Sequence, residues 1–269
     1  MRHILLIGMG AIGRKVAGAL RAESAALRLA VLVRPQYLAD VRARTGALAP
    51  LAVEVVDRIE GLQATPELAV ECAGHAAVAE FGETCLAAGM DFLVTSVGAL
   101  ADPALRARLE RTARTYARRV LIPAGAVAGI DALAAARNDG LARVRYTSRK
   151  PPRAWRGTHA EKLCDLDAIG QPIEFYRGNA GDAARLFPQN ANVAATIALA
   201  GLGFEATECS LTADPGAPGN VHLIEAEGAF GQLRIEVRGK PLPENPKTST
   251  LAALSVLRAI RSRLDTIQI

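Results

Sequence analysis

The chain opens on Ile4-Leu5-Leu6-Ile7, an unbroken apolar run of the kind a strand buried on both faces needs, and the run ends in Gly8-Met9-Gly10-Ala11-Ile12-Gly13. Behind the glycines, Val16, Ala17 and Leu20 recur at helical spacing beside Arg14, Lys15 and Arg21, which predicts an amphipathic helix. Further short apolar runs at 29–33, 53–56, 68–72, 92–95 and 120–123 predict strands, and 76–88 and 104–118 predict helices. Strand and helix alternate as a doubly wound parallel sheet demands.

Past Ile130-Asp131-Ala132-Leu133 the period changes. Residues 144–148, 220–227 and 231–237 alternate apolar and polar positions like half-buried strands, with glycines at 228 and 231 for a hairpin turn and an Ala-rich helix expected at 190–202. Asn245-Pro246-Lys247-Thr248-Ser249 reads as the start of a last helix continuing through Leu257. The expected fold is therefore α/β: an N-terminal Rossmann doubly wound parallel sheet, then a C-terminal α+β domain with a mixed sheet. The boundaries are set at 1–124 for dinucleotide binding, 125–244 for substrate and catalysis, and 245–269 for a C-terminal helix packing near the domain junction.

The glycine motif lies between a strand and a helix, where its geometry has chemical meaning. Gly8 permits the tight turn, Gly10 lets the backbone approach a pyrophosphate, Gly13 lets helix and strand pack closely, and the first N–H groups of the helix, around Ala11 and Ile12, attract phosphate. About twenty residues beyond the last glycine, where an acid would hold the ribose 2′-OH of NAD, the chain has Arg34, so NADP is expected beside NAD; a merely exposed arginine is the competing reading. Ligands of such sheets gather at the carboxyl ends of the strands. That rule nominates Ala73 and Gly74, Ser96 to Gly98, and Ala124 to Ala126, with His75 either facing the nicotinamide or simply exposed.

Composition narrows the class. Of 269 residues, 50% are hydrophobic but only 4% aromatic, which disfavours a base-stacking surface for single-stranded nucleic acid. The net charge of +5 is dispersed apart from a basic stretch from Arg145 to Arg156, readable as a solvated loop or as a contact for a small anion. No nucleic-acid or membrane partner is expected. No apolar run reaches the roughly 20 residues of a membrane helix, and the N-terminus lacks the form of a signal peptide, so a cytoplasmic location is expected. Cys72, Cys85, Cys164 and Cys209 are widely spaced, which reads as buried thiols with no metal site.

Of the four histidines, His222 sits within a predicted strand. A half-buried imidazole titrating near neutrality would serve as a proton shuttle, with a structural histidine as the alternative. Lys247 and Thr248 at the expected helix start could bind a carboxylate, or Thr248 could merely cap it.

Together, Gly8 to Gly13, Pro123-Ala124-Gly125-Ala126 with Gly129-Ile130-Asp131, Phe187-Pro188-Gln189-Asn190-Ala191-Asn192-Val193-Ala194-Ala195, His222 in its strand, and Glu244 to Ser249 resemble the L-aspartate dehydrogenases that act on nicotinamide cofactors, over nearly the full length. The resemblance implies oxidation of L-aspartate to iminoaspartate, which hydrolyses to oxaloacetate and ammonia or serves NAD synthesis. It also implies His222 as the catalytic acid or base, and Ala124 and Asn190 as cofactor contacts. Asn192, Lys247 and Thr248 become the candidates for the substrate carboxylates, ahead of the basic stretch, while Ala191 stands where a larger apolar residue is expected. Two rivals stay open: another Rossmann oxidoreductase acting on a small imino or hydroxy acid, and an NAD(P)-sensing regulator, which would have no use for both His222 and Lys247. A homodimer is expected, since a mixed sheet with one exposed face often pairs across a two-fold axis.

Overall fold

The computed structural model describes residues 1–188 and 192–267, and for Pro246 and Lys247 the backbone alone. The chain divides into two compact units, Met1–Pro123 with Ala253–Ile269, and Ala124–Ala252.

In the first unit the elements run β1 (Arg2–Ile7), α1 (Ala11–Ala19), β2 (Leu27–Leu32), α2 (Leu38–Arg44), β3 (Val53–Val56), β4 (Leu68–Glu71), α3 (His75–Ala87), β5 (Asp91–Val94), α4 (Pro103–Thr115) and β6 (Val120–Leu121). The six strands are parallel in the order β3-β2-β1-β4-β5-β6, a Rossmann sheet whose order reverses between β1 and β4. The continuous apolar runs exist because both faces are covered: Ile4 to Ile7 and Leu68 to Val70 are all buried. Register sets Ile7 beside Glu71, so the residues after β1 and after β4 emerge together at the carboxyl edge.

The second unit contains α5 (Ile130–Ala136), β7 (Leu141–Lys150), β8 (Ile173–Asn179), α6 (Ala180–Leu186), α7 (Asn192–Ala200), α8 (Gly203–Ala206), β9 (Thr207–Ala213), β10 (Asn220–Gly228), β11 (Gly231–Gly239), β12 (Pro241–Leu242) and β13 (Asn245–Ser249). Its large sheet has the order β11-β10-β7-β9-β8, antiparallel except for the parallel β7–β9 pair, which is the mixed sheet the alternation predicts. One face of β7 and β10 is buried and the other faces outward, as period-two patterning requires. Among the described residues no helix is long and apolar enough to cross a membrane.

One expected element is corrected. Residues 245–249 form a strand paired with β12, and the last helix, α9 (Thr250–Arg261), starts only after them. The residue before a proline avoids the helical region, which keeps Asn245 extended. Thr250 then donates its N–H to Lys240 O, closing the hairpin before the helix begins. Lys247 and Thr248 are thus strand residues, not the first turn of a helix. The remainder of α9 belongs to the first unit, where Val256, Leu257 and Ile260 join the apolar cluster around Leu6, Leu29 and Val31.

Candidate active site

The three glycines after β1 are required for different reasons. Gly8 adopts φ +92°, and a Cβ there would stand 2.8 Å from Ala73 Cβ. At Gly13 a Cβ would stand 2.3 Å from Gly8 O, so only glycine lets α1 approach the strand this closely. Gly10 is another case: it is exposed, and the nearest protein atom to a Cβ there is Cys72 O at 4.0 Å, so nothing in the protein demands glycine. The backbone at Gly10 is thereby left open to the approach of a ligand. Gly10 is also the N-cap of α1, with no side-chain cap and no acid in the first turn, which leaves the helix dipole available to an anion.

A cleft of about 540 Å³ opens at this point of the sheet. Gly8, Met9 and Gly10 line it with Arg14, Arg34, Tyr37, Asp40, Asp57 and Ala73. Arg34 is exposed just beyond β2, and Ala11 and Ile12 are half-buried in the first turn of α1. A glycine cradle, an open helix start and a long cleft at the switch point fit a dinucleotide.

The loops after β4 and β5 are held by a residue the sequence reading passed over. Glu71, at the end of β4, is fully buried and accepts hydrogen bonds from Ala73 N (2.7 Å), Gly74 N (2.7 Å), Thr95 N (3.2 Å), Ser96 N (2.9 Å) and Ser96 Oγ (3.0 Å). One carboxylate thereby fixes the loops after β4 and β5. The N–H groups of Ala73 and Gly74 are directed at Glu71, so these residues shape the cleft through their backbone path. His75 is the half-buried first residue of α3.

In the second unit His222 lies on β10, 3% exposed, with Nδ1 2.8 Å from Tyr146 Oη and the two rings stacked at 16°. Its Nε2 is wholly buried with no hydrogen-bond partner among the described residues. Burial, and secondarily the charge of Lys150, lower its pKa to about 3, so the imidazole is neutral. This corrects the expected half-buried group titrating near neutrality: the strand is covered, and a covered imidazole loses the hydration that stabilises its cation. Tyr146 is buried and its phenol is pushed up by desolvation, so it stays protonated.

The basic stretch is not a solvated loop along its first half. It is the end of β7, with Arg145 paired to Glu208, Arg149 to Asp214, and Lys150 buried. The alternation of Val144, Tyr146, Ser148 and Lys150, carried two residues beyond 148, marks all four for the same face. Ala124 is half-buried after β6, Asn192 is half-buried at the start of α7, and Thr248 is half-buried in β13. Asn190, Ala191 and the Lys247 side chain lie outside the described residues. Cys85 and Cys209 are buried thiols, whereas Cys72 and Cys164 are only half-buried. Among the described residues there is no cluster of three or more metal-ligating side chains.

Two family models match the chain in tandem: the homoserine dehydrogenase NAD-binding domain over residues 8–123, and the aspartate dehydrogenase C-terminal domain over residues 131–263. The L-aspartate dehydrogenase of Ralstonia nicotianae is 48% identical, and that of Cupriavidus necator 47%, each with 100% of both chains covered. The crystal structure of aspartate dehydrogenase from Thermotoga maritima superposes with a TM-score of 0.78 at 26% identity, covering 100% of this chain and 99% of that one. With an NAD-binding Rossmann unit followed by this second domain, and with that identity over the full length, the chain belongs to the aspartate dehydrogenase family.

Proposed function

We propose that the protein oxidises L-aspartate to iminoaspartate with NAD or NADP, the imine then hydrolysing to oxaloacetate and ammonia, and that it runs the reverse amination. The observation that carries this reading is the buried His222–Tyr146 pair with an unpartnered Nε2, in a chain of this family. Gly8, Gly10, Ala11, Ile12 and Gly13 hold the dinucleotide phosphates, and Ala124 and Asn190 contact the cofactor. A nicotinamide cofactor held by these residues would supply the acceptor for the hydride leaving the substrate Cα.

His222 handles the proton that leaves the substrate nitrogen. With Nδ1–H donating to Tyr146 Oη, Nε2 presents a lone pair and acts as base; with the phenol donating to Nδ1, Nε2–H is a donor suited to the amination direction. An imidazole held near pKa 3 is a weak base, and a carboxylate bound beside it raises that value toward neutrality. Asn192, Lys247 and Thr248 supply donors to the substrate carboxylates. Arg34 receives the 2′-phosphate of NADP, so Arg34→Ala weakens NADP against NAD by about tenfold or more, the scale of one charge-assisted contact.

Initial rates with L-aspartate and each cofactor, against malate, glutamate and alanine, test the reaction. Aspartate-dependent reduction absent with the rivals supports it, and dinucleotide binding without aspartate turnover sinks it. His222→Ala is expected to lower turnover by about 10² to 10⁴ while dinucleotide affinity is retained. The reading also assigns a cytoplasmic enzyme that serves NAD synthesis, checked by fractionation and by loss of NAD precursors in a deletion strain. It assigns a homodimer paired through the outer face of the mixed sheet, checked by light scattering.

A further inference from the structure

The buried face of β7 carries chemistry that His222 alone does not explain. Val144, Tyr146, Ser148 and Lys150 are all buried on it, while Arg145 and Arg149 take the other face. An interior sheet surface tolerates polar groups only where each finds a partner. Tyr146 has His222. Ser148 Oγ and His222 Nε2, by contrast, are both wholly buried without a hydrogen-bond partner among the described residues, and the register sets Ser148 directly opposite His222. Two residues further along β7, Lys150 is 7% exposed, with its Nζ 4.8 Å from the centroid of the fully buried Trp155 ring. A hydroxyl, an ammonium and an imidazole on one water-excluded strip make a receptor for an anionic group whose neighbouring atom exchanges a proton.

We propose that Ser148 and Lys150 bind one carboxylate of the substrate beside His222, the hydroxyl and the ammonium both donating to its oxygens. The proposal rests on the dehydrogenase reading above and assigns one of the two carboxylates that reading leaves to Asn192, Lys247 and Thr248. Burial already lowers the Lys150 pKa to about 8, so the bound anion restores the charge that desolvation weakens. Charge-assisted hydrogen bonds of this kind are the strong ones, and a methionine at 150 keeps the unbranched apolar stem of the lysine, so it is compatible with folding.

The test uses the full-length protein with Lys150→Met, Lys150→Arg and Ser148→Ala, and succinate as a non-reacting probe titrated calorimetrically in the presence of NAD. Succinate affinity is expected to fall about 10- to 100-fold in Lys150→Met and about 3- to 10-fold in Ser148→Ala, with partial recovery in Lys150→Arg and NAD affinity within twofold of wild type. The KM for L-aspartate should rise by similar factors, with kcat changed less. Succinate that does not bind wild type, or that binds Lys150→Met within threefold of wild type, overturns the assignment. Wild-type turnover of aspartate with an unchanged KM in Lys150→Met overturns it as well, while leaving the dehydrogenase reading intact. Lys150-dependent succinate binding without aspartate turnover keeps the carboxylate site and removes the reaction.

Discussion

His222 is placed where the fold itself keeps it from being charged, and that has a consequence for acid stability. Its native pKa of about 3 lies below the ordinary 6.5, so between those values the unfolded chain takes up a proton that the native state refuses. Stability is therefore fully present above about pH 6.5 and is lost as pH falls toward 3, by a few kcal/mol at most. His222→Gln removes this contribution, so urea unfolding at about pH 7 and about pH 5 should show a smaller loss in the variant than in wild type. An equal loss in both would place the acid sensitivity elsewhere. Lys150 acts in a separate window: with a pKa of about 8 against 10.5, it costs stability at neutral pH, and the cost is relieved as pH rises through that interval. The sequence displays His222 as a strand histidine, but not its burial, because coverage of a sheet face comes from elements far away in the chain. Tyr146 and Lys150 were legible in principle: the alternation from Val144 reaches both, and was obscured at Lys150 by the neighbouring arginines.

At the scale of elements, the loops at the carboxyl edge of the parallel sheet owe their form to Glu71 as much as to the glycines. Its two oxygens accept from four backbone N–H groups and two hydroxyls, so Glu71→Ala leaves several buried donors unpartnered, at about 1–3 kcal/mol each. Glu71→Ala is expected to weaken NAD binding at least tenfold, with His222 and the mixed sheet unaffected. Calorimetric NAD affinity checks it, and a value within twofold of wild type would show the loops holding their shape without the carboxylate. The six strands of this unit and its helices α1, α3 and α4 were readable because each carries its own period, whereas the short α2 was not. The misplaced start of the last helix shows the opposite case: Asn245 to Ser249 is a strand because β12 pairs with it, and a partner strand is invisible in a local window. α6 was missed although Asn179 caps it by accepting from Asp182 N at 2.8 Å, a local signal at three-residue spacing that the apolar pattern did not call attention to.

Across the whole molecule, the most distant dependence is that of the N-terminal unit on the end of the chain. Residues 253–269 return to it, Ile260 is wholly buried in its apolar cluster, Arg261 pairs with Glu23 at 2.9 Å, and Arg263 pairs with Asp91 at 2.5 Å. The amphipathic spacing of α9 announces a helix with one buried face, but not which core receives it. Truncating a fully buried isoleucine costs about 2–5 kcal/mol, a large part of the 5–15 kcal/mol that holds a domain folded. Ile260→Ala should therefore lower the melting point of the first unit while acting little on the second. The sequence provides a reporter for separating them, because the only tryptophan is Trp155, buried in the second unit. In a thermal scan of the variant, loss of NADH binding is expected to precede the change in Trp155 emission, and saturating NADH should bring the two transitions back together, because a ligand stabilises only the unit that binds it. Coincident transitions displaced equally, with or without NADH, would mean that the two units melt as one and that α9 serves both.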